Sequence, residues 1–279
     1  MTRAFTGNGR ATAEQGHHGH GTEAQGGSDE LTETFQRTVE EGELRLTRSW
    51  PGLLSTGVVG GFDVGVGVLG LLLVKEATGN ELLAGLAFGI GFIALTLAQS
   101  ELFTENFLVP VVAVAAHRAS VKQLLRLWLG TASMNLVGGW VMMGLIMAGQ
   151  PKLRATAVTI AHEYATFPLG RALVLAVLGG VVITLMTWME RATESVPAKL
   201  AAAVSAAFLL VAATLNHAIV VSLLMFAALH AGAPFGYLHW LSAAAVAAVG
   251  NIAGGVGLVT MLRLVQVGQE RIQEARSEA

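Results

Sequence analysis

Between Leu82 and Ala116 the chain is apolar for longer than one membrane crossing requires, yet the centre of this run is Gln99-Ser100-Glu101-Leu102-Phe103-Thr104-Glu105-Asn106. A bilayer core takes about 20 residues of helix, so the run is too long for one comfortable span and too polar at its centre to face lipid. A helix can be interrupted at membrane depth only where the freed N–H and C=O groups are buried in protein or line an aqueous path. The sequence therefore predicts a broken span whose break lines a path. The alternative is that Leu82 to Leu97 crosses alone, the island is an external loop, and Phe107 to Ala115 is a re-entrant or core segment.

Composition points the same way. Of 279 residues, 53% are hydrophobic and 13% charged, which describes a polytopic membrane protein. A net charge of -2 and the lack of a basic stripe with interleaved aromatics give no argument for nucleic acid. There is no cysteine, which excludes disulfides, thiolate metal sites and cysteine nucleophiles. No phosphate-binding glycine loop, HExxH or GxSxG motif is present, so neither an enzyme nor a cofactor is expected. The first apolar run begins near Trp50, after a long polar lead, which predicts no cleavable secretory signal.

Residues 1–27 are rich in Gly, Thr and Ala, have almost nothing apolar to bury, and are expected to be a disordered tail; their His17-His18-Gly19-His20 cluster is read as solvated. Ser28 or Asp29 is a candidate cap for a helix to residue 48, in which Leu31, Phe35, Val39 and Leu46 recur at roughly helical spacing. This predicts an amphipathic helix against the cytoplasmic face. Candidate spans follow at Leu53 to Val74, Leu82 to Ala116, Leu124 to Ala148, Arg171 to Met189, Leu200 to Leu229 and Leu238 to Leu264, within a membrane domain of residues 49–266 followed by a short tail, 267–279. Most Lys and Arg then fall on one side, from Arg37, Arg45 and Arg48 to Arg263; the other side holds Lys75, Lys152, Arg154 and Arg171. The positive-inside rule puts both termini in the cytoplasm. Glycines four apart at Gly57, Gly61 and Gly65, at Gly85 and Gly89, and at Gly250 and Gly254 predict closely approaching helices.

The third span contains Asn135-Leu136-Val137-Gly138-Gly139 and the sixth Asn251-Ile252-Ala253-Gly254-Gly255. Thirty-odd residues before each lies the polar centre of an over-long run, Thr104 in one case and Asn216-His217 in the other. The expected architecture is therefore all-α integral membrane: six transmembrane helices in two inverted three-helix repeats, with helices 2 and 5 broken. Broken helices near the midplane of such repeats typically form the substrate site.

His217 is the ionisable residue at the centre of the run between Lys199 and His230. Two readings stand: a proton-exchanging site on a polar path, or a neutral histidine bonded to a freed backbone carbonyl. Thr104 is a candidate cap for the second half-helix of the first break, whose N-terminal partial charge suits an anion; Glu101 and Glu105 work against that if both are ionised and face the path. Asp63 is a further acid within a span, expected to pair with backbone donors or a histidine. Phe88, Phe92, Leu102 and Leu210 are candidate constrictions, or plain packing.

Glu101-Leu102-Phe103-Thr104, Asn135-Leu136-Val137-Gly138-Gly139, Asn216-His217 and Gly250-Asn251-Ile252-Ala253-Gly254-Gly255, in this order and spacing, resemble the formate/nitrite transporter family over about Trp50 to Val265. The resemblance implies an aquaporin-like six-helix protomer assembled as a homopentamer in the inner membrane, each protomer with its own path for a small monovalent anion or its conjugate acid. It implies that Thr104 is the family's loop threonine, His217 its central histidine and Asn251 the asparagine near it. Phe88, Phe92 and Leu102 then form a cytoplasmic constriction, with Leu210 near a periplasmic one. Two departures stand out: Asn216 replaces an acidic residue, and His162 or Glu163 stands where formate channels carry a vestibule lysine. The expected function is a channel or transporter for formate, nitrite or a similar weak acid. The alternatives are a pore for neutral solutes and a non-transporting membrane assembly protein.

Overall fold

The computed structural model describes residues 19–269, 272, 273 and 275, with side chains from residue 32 onward. Among the described residues every regular element is helical: α1 (Gly19–Thr47), α2 (Trp50–Thr78), α3 (Glu81–Ala98), α4 (Val109–Ala115), α5 (Val121–Gly149), α6 (Arg154–Ala165), α7 (Leu169–Arg191), α8 (Val196–Ala212), α9 (Ala218–His230), α10 (Tyr237–Ile252) and α11 (Met261–Val267). A short 3-10 turn, Phe103–Phe107, precedes α4, and a π-helical stretch, Ala253–Thr260, joins α10 to α11.

Local chemistry sets the boundaries. Ser49 caps α2 and Pro51 sits in its first turn, where a missing N–H costs nothing. The helix ends on Gly79 in the left-handed region, φ 67°, and Asn80 at once caps α3 by accepting from the amides of Leu82 and Leu83. Ser120 and Gln123 form a reciprocal capping box at the start of α5. By length and apolarity, five helices of the described residues can cross a membrane: α2, α3, α5, α7 and the continuous helix Tyr237–Val267. The segment Phe103–Ala115, α8 and α9 are apolar but shorter.

The glycine stripes lie where helices touch. A Cβ on Gly61 would stand 2.4 Å from the carbonyl oxygen of Asn135 on α5, and one on Gly254 would stand 2.0 Å from that of Val177 on α7. Gly85 and Gly89 face Phe208 and Val204 of α8. Helix backbones thus approach within contact distance, and residues 100–108 and 215–217 are buried inside the bundle. Glu101, Thr104 and Asn106 are at most 1% exposed, so the island between α3 and α4 is not an external loop.

Two features differ from the sequence reading. The first helix begins at Gly19, so Ser28 and Asp29 fall within it instead of at its start. The remainder of the expected tail, and the side chains of its histidine cluster, lie outside the described residues. The second feature is α6, which has no counterpart among the expected elements: at 12 residues with mixed polarity, it carries too weak a periodicity to be read. On the face of α1 that packs inward, Phe35, Val39 and Leu46 are buried as the sequence expects, with Phe35 and Val39 gathered against Leu108, Val112 and Trp188.

Candidate functional site

Each polar break is tied to the bundle by an asparagine from the Asn-x-x-Gly-Gly motif. Asn135 accepts from the amide of Phe103 at 2.9 Å and donates to the carbonyls of Gly57 and Glu101, both at 2.8 Å. Asn251 repeats the arrangement: it accepts from the amide of Ala218 at 2.8 Å and donates to the carbonyls of Ala176 and Asn216 at 2.7 and 3.0 Å. Backbone groups freed by the breaks are satisfied in this way, which buried amides require. Both side chains are fully buried and committed to backbone, so they hold the breaks in shape.

These bonds also fix the register of the internal repeat. Glu101 corresponds to Asn216 and Leu102 to His217, a pairing the motif alone did not supply. The residue two before each matched carbonyl, Gln99 in one break and Thr214 in the other, has positive φ, at 53° and 50°. For a β-branched threonine that conformation is an outlier, held by its surroundings. The glycine pairs Gly60-Gly61 and Gly179-Gly180 back onto the two asparagine sites, and a Cβ on Gly180 would meet the Asn251 carbonyl oxygen at 2.1 Å. Sequence reading missed the second pair because it looked for glycines four apart.

His217 and Thr104 come from opposite repeats and meet in the buried centre, with the Thr104 Oγ1 to His217 Nε2 distance 2.7 Å and both residues 0% exposed. His217 also stands at the N-cap of α9, where its Nδ1 accepts from the amide of Val220 at 3.3 Å. An Nδ1 that accepts carries no proton, so in the neutral ring Nε2 holds it and donates to Thr104. The threonine hydroxyl hydrogen is then free to donate elsewhere. Thr104 does not cap the second half-helix; Leu108 occupies that position without a side-chain bond. The N-terminal amides of α9 at Ala218 and Val220 are already taken by Asn251 and His217, so none of these amides is left open to an anion.

The acids have different surroundings. Glu101 Oε1 accepts from Arg48 at 2.6 Å with Arg45 at 3.9 Å, while its Oε2 is buried without a hydrogen-bond partner. Arg45 donates to Asn106 at 3.0 Å and to Glu41, and Glu41 also receives Arg191. Glu105 lies buried within electrostatic range of Glu190, Arg45 and Glu101. Asp63 accepts from Ser100 at 2.5 Å, so its partner is a hydroxyl. Asn216 donates to the Ala172 carbonyl, and its Oδ1 is buried and unpartnered. Arg45 and Arg48 carry this network and entered the sequence reading only as cytoplasmic charges, because their partners Asn106 and Glu101 lie far along the chain.

The candidate constrictions Phe88, Phe92, Leu102 and Leu210 are all at most 1% exposed, and the rings of Phe88 and Phe92 lie 5.5 Å apart. At the end of the bundle where α2 turns into α3, a cavity of about 40 Å³ is lined by Lys75, Glu81, Glu163, Tyr164 and Thr214 among others. Glu163 lines this cavity, whereas His162 is exposed and is not part of its wall. Burial, with Glu163 and Glu81 nearby, pushes the Tyr164 phenol above its ordinary range, so it stays a neutral donor. Among the described residues no group of His, Asp and Glu is arranged to hold a metal ion.

Long apolar helices around a buried polar centre, in two matching halves, define a membrane transport protein. The profile of the formate/nitrite transporter family matches residues 32–265, and the chain belongs to that family. It is 25% identical to the uncharacterized transporter YrhG of Bacillus subtilis strain 168, across 85% of this chain and 92% of that protein. It is 26% identical to the formate channel BtFdhC of Bacillus thuringiensis, across 79% and 89% of the two chains. The inner membrane protein YfdC of Escherichia coli K12 is 25% identical, across 86% and 80%. Among solved structures, an FNT family ion channel superposes with a TM-score of 0.75 at 20% identity, across 84% of this chain and 96% of that one. A pentameric formate channel with formate bound gives 0.66 at 19% identity, across 79% and 98%.

Proposed function

We propose that this chain is an inner-membrane channel or transporter for a small monovalent anion or its conjugate acid, with the Thr104–His217 pair at the centre of its path. The observation that carries this reading is the 2.7 Å contact between the two repeats, in a place that is otherwise sealed. Counting residues 81–115 and 196–230 each as one interrupted span gives six spans in two inverted repeats. The formate channel and the pentameric neighbour in the same fold support a small carboxylate as substrate and a homopentamer as the assembly.

In this reading Thr104 donates its hydroxyl hydrogen to the substrate while accepting from His217. The substrate crosses the apolar constrictions at Phe88, Phe92, Leu102 and Leu210 as the neutral acid, since a bare charge there is costly. Proton exchange at His217 requires Nδ1 to leave Val220, because a proton on Nδ1 replaces that cap and sets a positive charge at the positive end of α9. At 3.3 Å this cap is a long bond and the one to give way.

The test is flux of formate, nitrite and hydrosulfide into proteoliposomes between about pH 5 and about pH 8, the range in which histidine changes charge. Flux that rises toward acid pH and collapses in His217→Phe is the expected result. Flux unchanged in that variant sinks the mechanism. A neutral-solute pore is the second reading, favoured by the pairing of Arg48 and Arg45 with acids beside the break, which offsets their charge. Glycerol passing freely where all three anions fail establishes it.

A further inference from the structure

Resting on the anion path proposed above, we infer that Lys75 is the cation of the outer vestibule and that Glu81 holds it in check, so that this pair sets how strongly the mouth concentrates anions. The position before the fourth span offers no cation to this cavity, since its wall there carries Glu163 and Tyr164. The positive charge arrives from the end of α2 instead. Lys75 lines the same cavity as Thr214, three residues before His217, and is the basic residue in its wall.

The geometry explains why the charge is only partly available. Lys75 Nζ donates to Glu81 Oε1 at 2.9 Å and to the Gly79 carbonyl at 3.1 Å. Its side chain is 22% exposed while that of Glu81 is 65% exposed, so the lysine is turned inward and the acid outward. With Glu163 in the same wall, the ionised mouth carries one positive charge against two negative ones. Such a mouth draws anions weakly, although a cleft with low-dielectric walls magnifies any change in its charge. Removing Glu81 releases the field of Lys75, and removing Lys75 leaves the acids unopposed.

Those two changes must act in opposite directions on anion flux, which a lysine that merely closes the turn between α2 and α3 does not do. The experiment measures initial formate flux in proteoliposomes for the wild type, Lys75→Gln, Lys75→Arg and Glu81→Gln, at about 10 mM and about 1 M salt, over which the screening length falls from about 30 Å to about 3 Å. At low salt Glu81→Gln is expected to carry formate roughly threefold faster and Lys75→Gln roughly threefold slower, with Lys75→Arg near wild type and the differences lost at high salt. Equal losses in Lys75→Gln and Glu81→Gln, or changes that persist at high salt, overturn the inference while leaving the channel intact. Wild-type protein that carries no formate overturns the anion path, and this role of Lys75 with it.

Discussion

At the scale of single residues, the buried Thr104–His217 pair is a hydrogen-bond problem. The His217 Nε2–H is buried and donates to Thr104, so any replacement for Thr104 must accept that bond and still supply a hydrogen. Thr104→Ser does both and is expected to keep most of the flux. Thr104→Val has the same shape but leaves a buried donor unpaired, which costs about 1–3 kcal/mol. Stopped-flow flux of this variant should fall at least about tenfold, in line with about 1.4 kcal/mol; wild-type flux would remove Thr104 from the path. Asn135 and Asn251 have the same three-bond job but different neighbours. Alanine at either position strands two buried backbone groups of its break, an amide and a carbonyl, with an expected loss of roughly 3 kcal/mol, read as a lower melting temperature in detergent. Relative to folded protein, Asn251→Ala should also reduce flux more, since its Oδ1 holds the amide of Ala218 next to His217. Equal flux per folded molecule in the two variants would show that the α9 cap does not depend on Asn251.

The helices add a second level of control, in which α1 is fastened to the first break. Arg45 and Arg48 reach from the end of α1 and the turn after it to Asn106 and Glu101, and Gly42 lets α1 close on α4. A Cβ at Gly42 would stand 2.5 Å from the Val109 carbonyl oxygen and 2.7 Å from Ala113 Cβ, neither of which can move freely. Gly42→Leu is therefore expected to lift α1 from α4. Limited proteolysis should then cut residues 32–48 first, while the helices from α2 onward stay resistant; unchanged protection would mean that the ion pairs alone hold α1. This docking was half legible in the sequence. The apolar stripe Phe35, Val39 and Leu46 was readable because helical spacing is local. Its polar anchor was not, because Arg45 to Asn106 and Arg48 to Glu101 join residues more than fifty apart in the chain, and no local pattern records such a pair. The polar island and the Asn-x-x-Gly-Gly pair were legible for another reason: lipid forbids unsatisfied backbone, so polar residues inside an apolar run mark a break, and the asparagine motif is short and occurs twice. The register of the two breaks was not legible, since only the bonds from Asn135 and Asn251 match Leu102 to His217. The apolar spans were also readable, while α6 was hidden by its brevity.

For the molecule as a whole, the count of crossings and the distribution of charge make one joint prediction about where the chain ends lie. Arg37, Arg45, Arg48, Arg126 and Arg191 gather around α1, with Arg37 paired to Glu194 and Arg191 to Glu41. Lys75 lies in the last turn of α2, Arg154 opens α6 just beyond the end of α5, and Arg171 lies in the first turn of α7. By the positive-inside rule the α1 end is expected to face the cytoplasm. If the α8–α9 pair and the α3–α4 pair each cross once, six crossings return the C-terminus to that same side, whereas five long helices alone would leave it on the other. A reporter that fluoresces only in the cytoplasm, fused to each terminus in turn, is expected to be bright at both, and a periplasmic phosphatase silent at both. A bright N-terminus with an active phosphatase at the C-terminus would mean that α8 and α9 fold back without crossing. The Thr104–His217 contact would then join a crossing to a re-entrant hairpin, and the path would open to one side only. A phosphatase active at both ends would keep the six crossings but invert the molecule, placing the vestibule of Lys75, Glu81 and Glu163 in the cytoplasm. The anions drawn to that mouth would then be those leaving the cell, so this orientation decides which gradient the Lys75–Glu81 pair works on.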